Sequence, residues 1–135
     1  MSVLWSSSSL KKLVNACSSK DWEASGVEID SRKVKKGDLF CAINGKNYNG
    51  HNFINSAYES GATACLISDN LINTKKVTLV KVNNVLDTLE RMAKNARMRS
   101  KAKFIAVTGS VGKTGTKDMM HLALSKVAST YSNES

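Results

Sequence analysis

The stretch FIAVTGSVGKTGTKDMM, residues 104–120, predicts a strand, a phosphate-binding loop and the start of a helix in direct succession. Its apolar run ends at Thr108, glycines that permit a tight turn follow, and helix-forming residues begin at Lys113. In such an arrangement the backbone N–H groups of residues 110–114 converge on phosphate oxygens, helped by the positive end of the helix. The stretch therefore predicts a nucleotide-phosphate site. The predicted phosphate-binding residues are Gly109, Ser110, Val111, Gly112, Lys113 and Thr114.

The loop departs from the strict pattern GxxxxGK[ST] at one position, because Val107 stands where that pattern has its first glycine. The spacing that remains, G-x-x-G-K-T directly after an apolar strand, is far more specific than an isolated GK[ST]. In this interpretation Lys113 is the catalytic residue and carries its charge to the β- and γ-phosphates, while the Thr114 hydroxyl binds Mg²⁺. The structural alternative is a glycine turn whose lysine is merely solvated.

The rest of the chain alternates between strand and helix patterns, which indicates an α/β fold. Strand patterns cover residues 26–31, 38–43, 62–67, 77–82 and 103–108, and helical patterns cover 8–16, 51–61, 84–100 and 113–128. Ser8 or Ser9 is the expected cap of the first helix, and Asn83 or Asn84 that of the third. The apolar residues expected to face inward are Leu10, Leu13, Val14, Val27, Ile29, Phe53, Ile54, Ala57, Tyr58, Val85, Leu86, Leu89, Met92, Ala93 and Ala96.

The basic, polar run RMRSKAK, residues 97–103, separates the long helix from a fresh strand. We therefore expect a domain boundary there, with one domain at residues 1–102 and the start of a second at 103–135. A phosphate loop normally opens a larger nucleotide-binding domain, so the second part is expected to be the beginning of one.

The net charge of +9 over 135 residues suggests polyanionic partners. However, the basic residues are scattered, and aromatic residues, at 6%, do not interleave any basic run. The stacking surface of a single-strand binder is therefore not evident, and we expect no nucleic-acid partner.

Cys17, Cys41 and Cys65 lie far apart without metal-ligand spacing, so three reduced, mostly buried thiols are expected. Reduced thiols favour a reducing compartment. The first residues lack the apolar run of a secretory signal, and no stretch is apolar over the roughly 20 residues of a membrane helix. We expect a cytoplasmic protein.

In the form VTGSVGKTGTKDM, the loop resembles the ATP-binding loop of the Mur ligases, whose usual form is TG[ST]xGK[ST]. Gly115 departs from that form, since many members have threonine or serine there. Residues 4–13, LWSSSSLKKL, and residues 26–68, from GVEIDSRKVKKGDLF to ATACLIS, independently resemble the family's N-terminal substrate domain. Two blocks in the right order are more specific than either alone.

The resemblance implies a small mixed-sheet domain that holds the UDP part of a UDP-MurNAc-peptide. The first strand, phosphate loop and helix of a central ATP-binding domain would follow it. The UDP-binding residues implied by the resemblance are Asp30, Ser31, Arg32, Gly45, Asn49, Gly50 and His51. Asn49 stands where the family often has aspartate. Each has an ordinary structural alternative: a turn at Asp30–Ser31, a solvated Arg32, turn chemistry at Asn49–Gly50, and a packing or capping His51.

By the same resemblance the reaction is ATP- and Mg²⁺-dependent amide formation through an acyl phosphate. It is most similar to the step that joins D-Ala-D-Ala to UDP-MurNAc-tripeptide. The family also needs an acidic metal ligand, a modified lysine, an asparagine-rich loop and a C-terminal domain, and these do not fit within residues 1–135. We therefore expect the chain by itself to bind UDP-sugar weakly without ligating, to expose a face at residues 104–128, and to need the remainder of the ligase as a partner.

Three alternatives remain open. One is the related ligase that adds the third residue of the stem peptide. Another is a non-enzymatic basic α/β module that engages nucleic acid or protein. The third, a small independent P-loop NTPase, is disfavoured because no strand ending in an acidic residue follows the loop.

Overall fold

The computed structural model describes residues 2–68, 72 and 76–133. It separates the chain into two compact units, Met1–Ser100 and Lys101–Ser135. The division falls two residues before the boundary expected after residue 102. The roles that the resemblance assigns to the two parts remain predictions.

The first unit is built on a mixed five-stranded sheet. In chain order the strands of this unit are β1 (Trp5–Ser6), β2 (Cys17–Ser18), β3 (Glu23–Ala24), β4 (Gly26–Glu28), β5 (Asp38–Cys41), β6 (Ala64–Ile67) and β7 (Leu79–Lys81). The large sheet has the order β2-β7-β6-β5-β4, in which β4 to β7 are parallel and β2 is antiparallel to β7. A separate antiparallel pair joins β1 to β3. This is the mixed α/β architecture that the pattern predicts.

Apolar side chains cover both faces of the parallel strands, as such sheets require. Leu39 and Leu66 belong to one buried cluster, together with Trp5. Phe40 and Cys65 belong to a second cluster on the other face. The sheet is therefore the centre of the unit, and the ends of its strands are what reach the surface.

Three helical segments flank the sheet: α1 (Ser7–Val14), a short 3-10 helix (Gly50–Phe53) that continues into α2 (Ile54–Glu59), and α3 (Val85–Arg99). The expected cap of α1 at Ser8 or Ser9 is wrong. Ser6 caps this helix, because its extended backbone lets it exchange hydrogen bonds with Ser9 in a capping box. The alternative of Asn84 as the cap of α3 is confirmed, since its side chain accepts from the Asp87 N–H at 3.0 Å.

Several residues expected to face inward are exposed instead. The exposed residues are Val27, Ile29, Phe53, Tyr58, Leu86 and Ala93. Val27 and Ile29 belong to or follow β4, which is the edge of the sheet. The 3-10 start and short length of α2 leave Ile54 and Ala57 as its buried residues. The apolar positions of α3 span a wider arc of the helix surface than the part that packs against the rest of the unit. The residues that this helix buries are Val85, Thr88 and Met92.

The second unit consists of an extended segment, a glycine turn and α4 (Lys113–Leu124). In the described residues, 101–108 do not form a strand, which corrects the expectation at 103–108. A β-strand is defined by the backbone hydrogen bonds that pair it with a neighbouring strand. An apolar run supplies only the propensity to form a strand. α4 ends at Leu124, and a turn through Val127 replaces the helical residues expected as far as Ala128. No helix among the described residues is long and apolar enough to cross a membrane.

Candidate functional site

A cleft of the first unit lies where β4 and β5 end side by side. Because these strands are parallel and pair Glu28 with Phe40, the segments that follow them emerge at the same edge of the sheet. That edge is where open α/β sheets bind ligands. The cleft has a volume of about 630 Å³. Its lining residues are Ile29, Asp30, Ser31, Arg32, Phe40, Ile43, Tyr48, Gly50, Phe53 and Ser56.

Asp30 and Arg32, which both line this cleft, form an ion pair with each other. The Arg32 guanidinium donates to the Asp30 carboxylate at 2.9 and 2.7 Å, and the Arg32 backbone N–H donates to it at 3.0 Å. These hydrogen bonds lower the pKa of Asp30 to about 2. The Arg32 side chain is nevertheless 86% exposed. Arg32 is therefore held in one direction while remaining accessible, and Ser31 between them is buried against the cleft.

The glycine-rich loop after β5 supplies the opposite wall. The Gly45 N–H donates to the Tyr48 carbonyl at 2.9 Å, which closes the turn. The Gly50 N–H donates to the Ile43 carbonyl at 2.9 Å, and a Cβ at Gly50 would come within 2.6 Å of that oxygen. Gly50 is thus required for close backbone packing. Gly45 is not among the described residues that line the cleft.

Asn49 and His51 also lie outside that lining. Asn49 Oδ1 accepts from the His51 backbone N–H at 3.0 Å and lies 2.8 Å from His51 Nδ1. His51 Nε2 accepts from the Ser68 backbone N–H at 3.2 Å. Of the seven residues assigned to the UDP site by resemblance, the structure places Asp30, Ser31, Arg32 and Gly50 in one cleft.

Sequence reasoning missed the apolar part of the lining. Ile29 and Phe53 were expected in the core, but they are 58% and 42% exposed. Tyr48 is 75% exposed and received no role. The sequence offered no specific signal for Tyr48, because single exposed apolar side chains are common on protein surfaces. The exposure of Ile29 and Phe53 could not be predicted from their periodicity, which is that of inward-facing residues.

The second unit presents its glycine turn at the start of α4. Gly109 and Gly112 have φ angles of 149° and 76°, in the region that favours glycine. Gly112 caps α4 without any side-chain hydrogen bond, and a Cβ at Gly112 or Gly115 would meet no atom within 4 Å. The first N–H groups of a helix have no intrahelical partner. The turn therefore leaves room for an anion at the positive end of α4.

Lys113 and Thr114 are exposed in the first turn of this helix. Lys117, one turn later, donates to the Asn133 carbonyl at 2.7 Å. Among the described residues, no group of three or more His, Cys, Asp or Glu side chains is placed to hold a metal ion. Thr114 could contribute one oxygen ligand to Mg²⁺, whose remaining ligands would be phosphate oxygens and water.

The thiols of Cys41 and Cys65 are buried, as expected, whereas that of Cys17 is exposed. Burial raises the pKa of both thiols, that of Cys65 to about 12. Both thiols therefore remain protonated and serve as small apolar groups of the two clusters.

Comparison with known proteins connects the first unit to one family. Residues 23–99 match the model of the Mur ligase family, catalytic domain. These residues contain the whole β4–β5 cleft and precede the glycine turn of α4.

Two curated relatives illustrate the similarity. The chain is 41% identical to UDP-N-acetylmuramoyl-tripeptide–D-alanyl-D-alanine ligase of Rickettsia prowazekii over 122 residues, 90% of this chain and 27% of that protein. It is 40% identical to UDP-N-acetylmuramoyl-L-alanyl-D-glutamate–2,6-diaminopimelate ligase of Syntrophomonas wolfei over 106 residues, 77% of this chain and 22% of that protein. The chain thus spans about a quarter of the length of these relatives.

A solved structure shows the same fold. The MurF ligase of Thermotoga maritima, in complex with ADP, matches with a TM-score of 0.60 and 32% identity, over 75% of this chain and 23% of that one.

Proposed function

The chain belongs to the Mur ligase family, and we propose that it supplies the nucleotide-binding parts of an ATP-dependent ligase of peptidoglycan precursors. In this proposal residues 1–102 hold the UDP portion of a UDP-MurNAc-peptide, and residues 103–135 begin the ATP-binding part. The observation that carries the proposal is the β4–β5 cleft. It assembles Asp30, Ser31 and Arg32 with the glycine-rich loop, inside the segment that matches the family.

The cleft offers both kinds of contact that a uridine nucleotide needs. Arg32 presents an exposed guanidinium, held by Asp30, whose N–H groups suit a phosphate. Ser31 can exchange a hydrogen bond with a base edge or a ribose hydroxyl. Tyr48 and Ile29 add exposed apolar surface on which a uracil ring can lie. Asp30 acts through Arg32, because its carboxylate oxygens are already engaged.

The glycine turn of the second unit fits the phosphates of ATP. When bound, ATP with Mg²⁺ supplies the phosphoryl group that activates a carboxylate as an acyl phosphate. The backbone N–H groups of residues 110–114 would hold the phosphates at the start of α4. Lys113 would place its charge beside them, and the Thr114 hydroxyl would be one ligand of Mg²⁺. The ADP named in the Thermotoga maritima structure supports nucleotide binding in this family.

We propose that the reaction joins D-Ala-D-Ala to UDP-MurNAc-tripeptide. The 41% identity to the Rickettsia prowazekii ligase, over 90% of this chain, supports this assignment. Addition of 2,6-diaminopimelate is the second candidate, favoured by the 40% identity to the Syntrophomonas wolfei ligase. The discriminating measurement offers UDP-MurNAc-dipeptide and UDP-MurNAc-tripeptide to a ligase that contains this chain. Preference for the dipeptide would contradict the D-Ala-D-Ala assignment.

The two proposed nucleotide sites can be tested separately by calorimetric titration of the chain with UDP and with ATP–Mg²⁺. Arg32→Ala should lower the affinity for UDP about tenfold and leave that for ATP unchanged, because it removes one charge-assisted contact to phosphate. Lys113→Ala should lower the affinity for ATP by a similar factor and leave the affinity for UDP unchanged. Lys20→Ala is the matched control for Arg32→Ala, because it removes another exposed charge from the first unit. Lys126→Ala is the control for Lys113→Ala in the second unit.

Absence of UDP binding by the unsubstituted chain, or an equal loss in the Lys20→Ala control, would contradict the UDP site. Binding of DNA or RNA that weakens steeply with salt and that UDP does not displace would instead favour a basic binding module.

A further inference from the structure

The glycine-rich loop that forms one wall of the β4–β5 cleft, residues 44–50, is not itself part of the sheet. It closes internally through the Asn44–Asn49 bridge and the bond from the Gly45 N–H to the Tyr48 carbonyl. It carries Tyr48 and Gly50 into the cleft. A loop that presents binding groups must be fixed to a rigid element if those groups are to be preorganised.

His51 provides such a fixing point. Its side chain is buried, with 9% of its surface exposed, directly after the loop. Its Nε2 accepts from the backbone N–H of Ser68 at 3.2 Å. Ser68 follows β6, which is the neighbour of β5 in the sheet. The imidazole therefore joins the end of the loop to the end of a central strand.

The partners determine which ring nitrogen carries the proton. A backbone N–H can only donate, so Nε2 must accept from Ser68 and is unprotonated. Nδ1 then carries the hydrogen and donates to Asn49 Oδ1 at 2.8 Å. The same oxygen accepts from the His51 backbone N–H. Both ring nitrogens are thus engaged within the protein, which leaves neither for a ligand.

We propose that His51 is a positioning residue that clamps the glycine-rich loop to the end of β6, and that it does not contact the nucleotide. The proposal rests on the proposed UDP site, because its functional consequence is the affinity of that site. It separates His51 from Arg32, which faces the cleft directly.

Two amide substitutions distinguish the two bonds of the imidazole. In His51→Gln the longer side chain can place its oxygen where Nε2 lies and keep the bond to Ser68. In His51→Asn the shorter side chain can place its NH₂ group where Nδ1 lies and keep the bond to Asn49, but it does not reach Ser68. The two variants are similarly polar, so a difference between them reports on the Ser68 bond.

The test measures amide hydrogen exchange at Ser68 and the affinity for UDP in the full chain. In His51→Asn we expect Ser68 to exchange about tenfold faster and UDP to bind about tenfold more weakly. In His51→Gln both quantities should stay within about threefold of the unsubstituted chain. Equal behaviour of the two variants, or unchanged UDP affinity in His51→Asn, overturns the proposal.

A measurement on the unsubstituted chain covers the case in which a variant fails to fold. Coupling between sites is reciprocal, so if the clamp favours UDP binding, saturating UDP must slow exchange at Ser68. Exchange that does not change on UDP binding overturns the proposal. If the unsubstituted chain binds no UDP, the proposed UDP site fails, while exchange at Ser68 in His51→Asn still decides whether His51 holds the loop.

Discussion

At the scale of single residues, the pairing of Asp30 with Arg32 changes how the Asp-Ser-Arg element is understood. Both oxygens of the aspartate already accept from Arg32, through three N–H groups in all. Its contribution is to fix the direction of an otherwise mobile, exposed guanidinium. A surface ion pair of this kind adds little to stability. We therefore attribute its value to binding.

The titration of Asp30 provides a direct check of this pair. The folded pKa of about 2 lies below the ordinary value of 3.8. Because the folded value is depressed, any stabilisation from the pair is complete above pH 4 and is lost as the pH falls from about 4 to about 2. An NMR titration of the Asp30 carboxyl should have its midpoint near 2, and Arg32→Ala should move that midpoint up towards 3.8. A midpoint near 3.8 in the unsubstituted chain would show that the pair does not form in solution.

At the scale of elements, the N-termini of the helices differ in whether a side chain caps them. α4 begins at a glycine without a side-chain cap, whereas α1 and α3 begin with serine or asparagine caps. A side-chain cap satisfies the first N–H groups of a helix, and its absence leaves them for a ligand. The start of α2 also lacks a side-chain cap, but α2 continues directly from the 3-10 helix. The free start of α4 is therefore consistent with the proposed phosphate site, and the caps of α1 and α3 have a structural role.

Substitution at the α3 cap tests this structural role. Asn84→Ala removes the acceptor of the Asp87 N–H and should lower the free energy of unfolding by about 1 kcal/mol. Asn83→Ala, at the adjacent exposed position, should change it by less than about 0.5 kcal/mol. Urea denaturation followed by circular dichroism measures both. If both variants lose the same stability, the cap bond is not what holds the terminus.

At the scale of the whole molecule, the two units differ in how they are stabilised. Both buried clusters consist entirely of residues from the first unit. The second unit exposes many of its large apolar side chains. They are Phe104, Ile105, Val111, Met119, Leu122, Leu124, Val127 and Tyr131. This exposure agrees with the face expected at residues 104–128, and the second unit contributes no residue to either buried cluster.

Residues 1–100 should therefore fold without residues 101–135. Because no buried cluster is interrupted, we expect the thermal midpoint of the shortened chain to lie within about 4 °C of the full chain, equivalent to less than roughly 1 kcal/mol. The UDP affinity should also be retained, whereas ATP binding should be lost. Differential scanning calorimetry and titration of both chains provide the comparison. A shortened chain that is unfolded would show that the first unit depends on the second.

The sequence alone determined the α/β class and the glycine turn before α4, and it narrowed the cap of α3 to Asn83 or Asn84, because local spacing and backbone preference decide these features. It also supplied the Asp30–Arg32 element and the loop at residues 45–51 by resemblance. Only the tertiary structure decided which of those residues share a cleft, because that depends on β4 and β5 being parallel neighbours. It likewise decided that Ile29 and Tyr48 line the cleft and that His51 is bound to Ser68, 17 residues away. Contacts between residues distant in the chain follow from strand order, which a local pattern does not contain.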